Sequence, residues 1–157
     1  MIRRIKESDR ELYYKYVDLF YHSDVVNAPV PQVNYELTFN EFMRSDDYVW
    51  CYIFEEDSKP CGFAMLSKTF SQEAGGISVT VEEIYIEEEY RNKGLGTKFF
   101  EYMKENIPAA RYRIEVEPDN EKAMRLYERM GFEVLPYVQM VIDKQNKENM
   151  KKEQGNM

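Results

Sequence analysis

The 157-residue chain is long enough for one compact domain with its own core, and its 43% hydrophobic and 32% charged residues are those of a globular protein. A formal charge of −8 and a pI of about 4.9 leave no basic stripe for binding nucleic acid. No apolar run is long enough to span a bilayer, and Met1 to Lys6 lacks the apolar stretch of a signal peptide, so no membrane partner and a cytoplasmic setting are expected.

In chain order, Ile2 to Ile5 reads as a short strand. Ser8-Asp9-Arg10-Glu11 has the pattern of a capping box, followed by Leu12, Tyr16, Leu19 and Phe20 at helical spacing. Asn27-Ala28-Pro29-Val30-Pro31 breaks that helix into a loop. Thr38-Phe39-Asn40-Glu41 is a second capping-box pattern, predicting a short helix that carries Phe42 and Met43. Tyr48 to Glu55 and Lys59 to Phe70, rich in aromatic and β-branched residues, predict a hairpin turning at Asp57-Ser58-Lys59. Cys51 and Cys61 lie on either side of that turn. They are too few for a metal site, and free thiols are the better reading in a reducing compartment. The lone histidine, His22, also rules out a multi-histidine metal centre.

Gly75-Gly76 marks a loop, and Ile77 to Glu87 a further strand. Its apolar residues fall on odd positions at Ile77, Val79 and Val81, then on even ones at Ile84 and Ile86. That slip at Glu82-Glu83 is what one extra residue in a strand, a β-bulge, would produce. Leu95, Phe99, Phe100 and Met103 form the apolar stripe of a helix running to Asn106. Tyr112 to Val116 alternates apolar and charged residues as a strand does, and Asn120 to Met130 is helical through Ala123, Leu126, Tyr127 and Met130. Tyr137 to Ile142 predicts a last strand. Residues 144–157 are polar and repetitive and are expected to be a disordered tail behind a single domain of residues 1–143. The order is β-α-α-β-β-β-α-β-α-β, an α/β (α+β) arrangement with helices on the faces of a mixed sheet.

Arg91-Asn92-Lys93-Gly94-Leu95-Gly96 follows one strand and opens a helix. Glycines there allow close approach of a ligand to the backbone, and the unpaired N–H groups of a first helical turn attract an anion. It is neither a Walker loop nor a dinucleotide fingerprint, because both spacings differ. About 25 residues later comes Asn120-Glu121-Lys122-Ala123-Met124-Arg125-Leu126-Tyr127-Glu128-Arg129-Met130-Gly131-Phe132. Together these resemble the GNAT superfamily of acetyltransferases, with its R/Q-x-x-G-x-G/A loop and N-x-x-A-x-x-(L/F)-Y-x-x-x-G-F segment. The resemblance runs from Ile77 to Ile142.

The resemblance implies a mixed sheet of about six or seven strands and acetyl-CoA as donor substrate, with no metal. It also implies binding of the pantetheine arm by backbone groups of Ile84, Tyr85 and Ile86, with Asn120 touching the arm. The pyrophosphate would sit on the amides of Asn92, Lys93, Gly94, Leu95, Gly96 and Thr97, beside Arg91. A backbone N–H in the bulge would face the thioester oxygen. Tyr127 stands at the family's general-acid position. Glu82 is the candidate base, through its likeness to the spermidine/spermine-type enzymes, and Glu83 is its rival.

In this fold the acceptor pocket would be shaped by Tyr13, Tyr14, Tyr21, His22, Asp24 and the Val26 to Val33 loop, and a small primary amine is the expected acceptor. A peptide or protein amine is the alternative, and a non-catalytic acetyl-CoA-binding module a third reading. GNAT proteins often form homodimers, so a second copy is a further expected partner.

Overall fold

The computed structural model describes residues 1–22 and 30–155. The order is β1 (Ile2–Arg4), α1 (Arg10–Tyr21), α2 (Gln32–Arg44), β2 (Val49–Glu56), β3 (Lys59–Ser71), β4 (Gly76–Ile86), α3 (Leu95–Asn106), β5 (Arg111–Ile114), α4 (Glu121–Arg129) and α5 (Lys144–Gly155). The sheet has five strands in sequential order among the described residues, fewer than the six or seven expected. β1 to β4 form an antiparallel meander, and β5 returns parallel to β4 after α3.

Alternation along the strands builds two cores. Cys51, Ile53 and Phe63 face Tyr13, Tyr16 and Val17 of α1 and Tyr35, Phe39 and Phe42 of α2. Trp50, Tyr52, Ala64, Leu66, Val79 and Val81 face Leu95, Phe99, Phe100 and Met103 of α3, with Leu126 and Tyr127 of α4 at the margin. Burying each of these aromatic or branched side chains favours folding by about 1.5–3 kcal/mol before the opposing loss of chain entropy. Both cysteines are buried free thiols, as expected; Cys51 pairs with Met65 across the hairpin, not with Cys61. The turn at Asp57 and Ser58 has φ of 50° and 65°, the left-handed pair that suits the twist of a tight hairpin.

Several sequence expectations give way to stronger local forces. Ser8 does not cap α1: the preceding turn is occupied by Asp9, whose carboxylate accepts the Lys6 N–H at 2.9 Å and pairs with Arg3 at 2.8 Å. α2 starts six residues before Thr38, directly after Pro31, whose extended backbone is a natural helix entry. The Thr38 hydroxyl instead donates to the Asn34 carbonyl one turn back, at 2.7 Å.

Residues 137–142 form no strand, since a strand exists only through a neighbour and they join none of the five in the sheet. The expected disordered tail is mostly helix: Lys, Gln and Glu favour helix, and Asp143 accepts the Asn146 N–H at 3.2 Å at its start. Asn149 of that helix is buried, donating to Asn34 of α2 at 3.1 Å.

Candidate active site

The predicted slip in β4 is a bulge. Met65 pairs with Glu83 and Leu66 with Val81, so Glu82 is skipped in the ladder with β3. The extra residue bends the strand, and pairing with β5 ends at the same point, Val81 opposite Ile114. From Glu82 to Ile86 the far edge of β4 is therefore open. The Glu87 N–H bonds back to Cys61 across β3 at 2.8 Å. By the alternation of an antiparallel ladder, the main-chain groups of Tyr85 then face β3, and those of Ile84 and Ile86 face the open edge. The Ile86 carbonyl there accepts from Arg91 Nε at 2.8 Å.

The loop after β4 has the geometry expected for an anion. Gly94 sits at φ 79°, a left-handed turn that lets the chain enter α3 with its first amides outward. Arg91, Asn92, Lys93 and Gly94 are exposed, and Leu95 is buried as the first apolar anchor of the helix. Asn92 is also left-handed, at φ 62°, and its side-chain oxygen accepts from Lys122 Nζ at 2.8 Å. Lys122, from the first turn of α4, thus adds a cation beside Arg91 and Lys93; the sequence reading did not single it out. Gly96 and Thr97 complete the first helical turn. The Asn120 side chain accepts the Ala123 N–H at 3.2 Å, so it caps α4, a bond worth about 1 kcal/mol. These features suit a diphosphate and an extended amide-bearing arm, which would take the α3 amides and the β4 edge respectively.

The two acidic residues of the bulge occupy different environments. Glu82 is exposed and accepts from the Ser67 hydroxyl at 2.5 Å. Glu83 is 8% exposed; its Oε1 accepts from the Tyr21 hydroxyl at 2.6 Å, and among the described residues its Oε2 has no partner. Burial pushes this carboxyl up to about 7, partly offset by the Tyr21 bond, with the nearby Glu82 charge adding to the rise. The Tyr21 ring stacks on Tyr35 of α2, with centroids 6.2 Å apart.

Tyr127 lies on the other face of the sheet, half-buried between Phe100 and Phe132. Burial raises its phenol pKa, and no described residue hydrogen-bonds its hydroxyl. Of the residues expected to shape the acceptor pocket, Tyr13 is instead core, enclosed by Phe39, Phe42 and Phe63. Tyr14 accepts from Arg10, and His22 is exposed with its Nδ1 2.7 Å from the Asp18 carbonyl. Tyr21 reaches the buried carboxylate. Asp24 and residues 26–29 lie outside the described residues.

An open stretch of sheet edge followed by an anion loop at a helix start is the arrangement expected of an acyltransferase. The model of the Acetyltransferase (GNAT) family matches residues 9–132, and the chain belongs to that family. Among curated proteins, none matches this sequence.

Solved structures share the fold. AAC(6')-Iy, bound to the bisubstrate analogue CoA-S-monomethyl-acetylneamine, is 16% identical over 92% of this chain and 97% of its own, with a TM-score of 0.74. A possible acetyltransferase from Clostridium difficile 630 is 19% identical over the same shares, also at 0.74. The aminoglycoside 6'-N-acetyltransferase AAC(6')-IG from Acinetobacter haemolyticus is 13% identical over 92% and 98%, at 0.70. No helix among the described residues is long and apolar enough to cross a membrane.

Proposed function

We propose that the protein moves an acetyl group from acetyl-CoA to a primary amine of a small molecule, by direct attack within a ternary complex. The observation that carries this reading is Glu83: a buried carboxyl, poised near neutrality with one oxygen unpartnered, on the strand whose edge opens beside it. A general base works best with a pKa near the operating pH.

In this reading the donor supplies an activated thioester at the β4 edge. Ile84 and Ile86 hold its arm through main-chain groups, with Tyr85 between them. Asn92, Lys93, Gly94, Leu95, Gly96 and Thr97 hold the diphosphate, aided by Arg91 and Lys122, and Asn120 fixes the neighbouring helix. Glu83, rather than the solvent-facing Glu82, takes the proton that the attacking ammonium must lose. A bulge N–H stabilises the oxygen on which negative charge develops. Tyr127 gives its proton to the departing thiolate as the new C–N bond forms and the C–S bond breaks. Tyr21 is a positioning residue, holding Glu83 in one rotamer. The CoA-bound state of AAC(6')-Iy and the aminoglycoside part of its bisubstrate ligand support a CoA donor and a small amine acceptor.

Two variants separate these roles. Tyr127→Phe is expected to lower kcat about 100-fold while leaving the Kd for CoA unchanged; undiminished turnover removes Tyr127 from the mechanism. Tyr21→Phe removes a hydrogen bond that favours the ionised carboxylate. The acid limb of kcat/KM against pH should therefore move up by about one unit, the equivalent of a charge-assisted hydrogen bond. A limb that stays in place, or moves down, contradicts the Tyr21–Glu83 coupling. Direct attack also predicts intersecting double-reciprocal lines when both substrates are varied; parallel lines would indicate an acyl-enzyme.

A further inference from the structure

Helix α2 begins without a cap of its own. The residue before its first turn is Pro31, whose side chain can accept no hydrogen bond. The Gln32 N–H nevertheless has a partner: it donates at 2.7 Å to Glu153 Oε1 of α5, 121 positions further along the chain. A carboxylate at that point also faces the positive end of the helix dipole.

Two more residues of α5 reach the same turn. Asn146, Asn149 and Glu153 are spaced three and four apart, so they share one face of the helix. The Asn34 amide sits between the first two. Its Nδ2 donates to Asn146 Oδ1 at 2.7 Å, and its Oδ1 accepts from Asn149 Nδ2 at 3.1 Å. Asn149 is buried, and its own oxygen accepts from Gln145 Nε2 at 3.2 Å. Met150 is the one large apolar side chain of α5. A helix so polar gains little by burying a face, so these directed bonds fix it on α2, and in a single register.

The turn that α5 holds leads into Tyr35. The Tyr35 ring is buried and stacks on Tyr21 at an interplanar angle of 13°, and Tyr21 in turn donates to Glu83. Burial raises the Tyr35 phenol's pKa, and the charges of Asp18, Glu83 and Glu153 add to the rise. The α5 carboxylate and the buried one thus act on the same ring.

We infer that α5 is a positioning element for Glu83: Glu153 and Asn149 fix the first turn of α2, that turn fixes Tyr35, and Tyr35 keeps Tyr21 on the carboxylate. Its bearing on catalysis rests on the reading of Glu83 as the base. A segment beyond residue 132, where the family match ends, then belongs to the acceptor side of the site.

Carbon-13 NMR titration of the Glu83 carboxyl in the full chain tests this, beside amide hydrogen exchange of residues 32–35. Glu153→Ala and Asn149→Leu should each speed exchange in that turn. Both should also move the Glu83 titration, about 7 in the wild type, upward by up to about one pH unit, the share of the Tyr21 bond. The sign is diagnostic, since deleting the Glu153 charge alone would move it down. The other titratable groups around Glu83 are Glu82 on β4, Tyr13 on α1, Tyr35 on α2 and Cys51 on β2, and these substitutions leave all of them in place. Glu153→Gln, which keeps an oxygen for the Gln32 N–H, should stay near the wild type. Unchanged exchange at 32–35, or a Glu83 titration that stays in place or falls, overturns the inference even if the melting temperature drops. So does a Glu153→Gln variant that behaves as Glu153→Ala. Full turnover in Glu83→Gln sinks the base role instead, and the titration still decides whether α5 positions that carboxyl.

Discussion

Glu83→Gln is expected to lower kcat about 10²- to 10⁴-fold, the usual contribution of a general base, and to abolish the acid limb that the wild type should show near pH 7. The sign follows from the base role: the carboxylate accepts a proton only when ionised, so the wild-type rate rises as pH climbs through the raised value. Stability should move the opposite way. An unfolded glutamate loses its proton near 4.5, whereas the buried one keeps it until about 7. Wild-type stability therefore falls as pH rises across that window, by at most about 3.4 kcal/mol, and the loss is complete above it. Glutamine cannot ionise, so the variant escapes this loss. Compared with wild type, Glu83→Gln should be inactive yet melt several degrees higher at pH 8, with the gap closing towards pH 4. A variant with full turnover, or one whose melting advantage is independent of pH, contradicts the assignment. Glu82→Gln, at an exposed site bonded to Ser67, serves as the matched control.

Gly62→Ala is expected to have the largest structural effect of any single methyl group. A Cβ at Gly62 would lie 2.3 Å from the Tyr85 carbonyl oxygen and 3.1 Å from the Ile86 Cα, both backbone atoms of the paired strand. Neither atom can move without shifting β4. The expected cost is about 3 kcal/mol, or roughly 10 °C in Tm for a chain of this length. The shift falls at Tyr85 and Ile86, the stretch proposed to hold the donor. Calorimetric titration with CoA should show weaker binding, in proportion to the displaced edge. An unchanged Tm and an unchanged CoA affinity would mean that β3 and β4 do not meet in this register.

The sequence disclosed most about the elements whose signals are local and periodic. The α3 stripe of Leu95, Phe99, Phe100 and Met103 marked the helix to its observed ends, Leu95 and Asn106. The phase slip at Glu82-Glu83 located the bulge because an inserted residue shifts a two-residue period by one. Capping signals misled where a tertiary partner outcompeted the cap. Asp9 answered to Arg3, and Pro31 gave α2 an earlier entry than Thr38. The choice between Glu82 and Glu83 was beyond reach of spacing alone, since both stand next to the bulge. What distinguishes them is burial, and that depends on Tyr21 arriving from α1 at 2.6 Å. The expected strand at 137–142 did not form because an apolar run becomes a strand only where a neighbouring edge takes up its main-chain groups, and spacing alone does not show which edge is within reach.

The central claim is that the open β4 edge and Glu83 serve transfer of an acetyl group to an amine. Its most direct test is the release of free thiol from acetyl-CoA by the purified protein, followed with and without each of a panel of polyamines, aminoglycosides, amino acids and peptides. Thiol release that requires a small primary amine, matched mole for mole by acetylated amine in the mass spectrum, is the predicted result. Release that is the same without any amine, or that only peptides elicit, would contradict it.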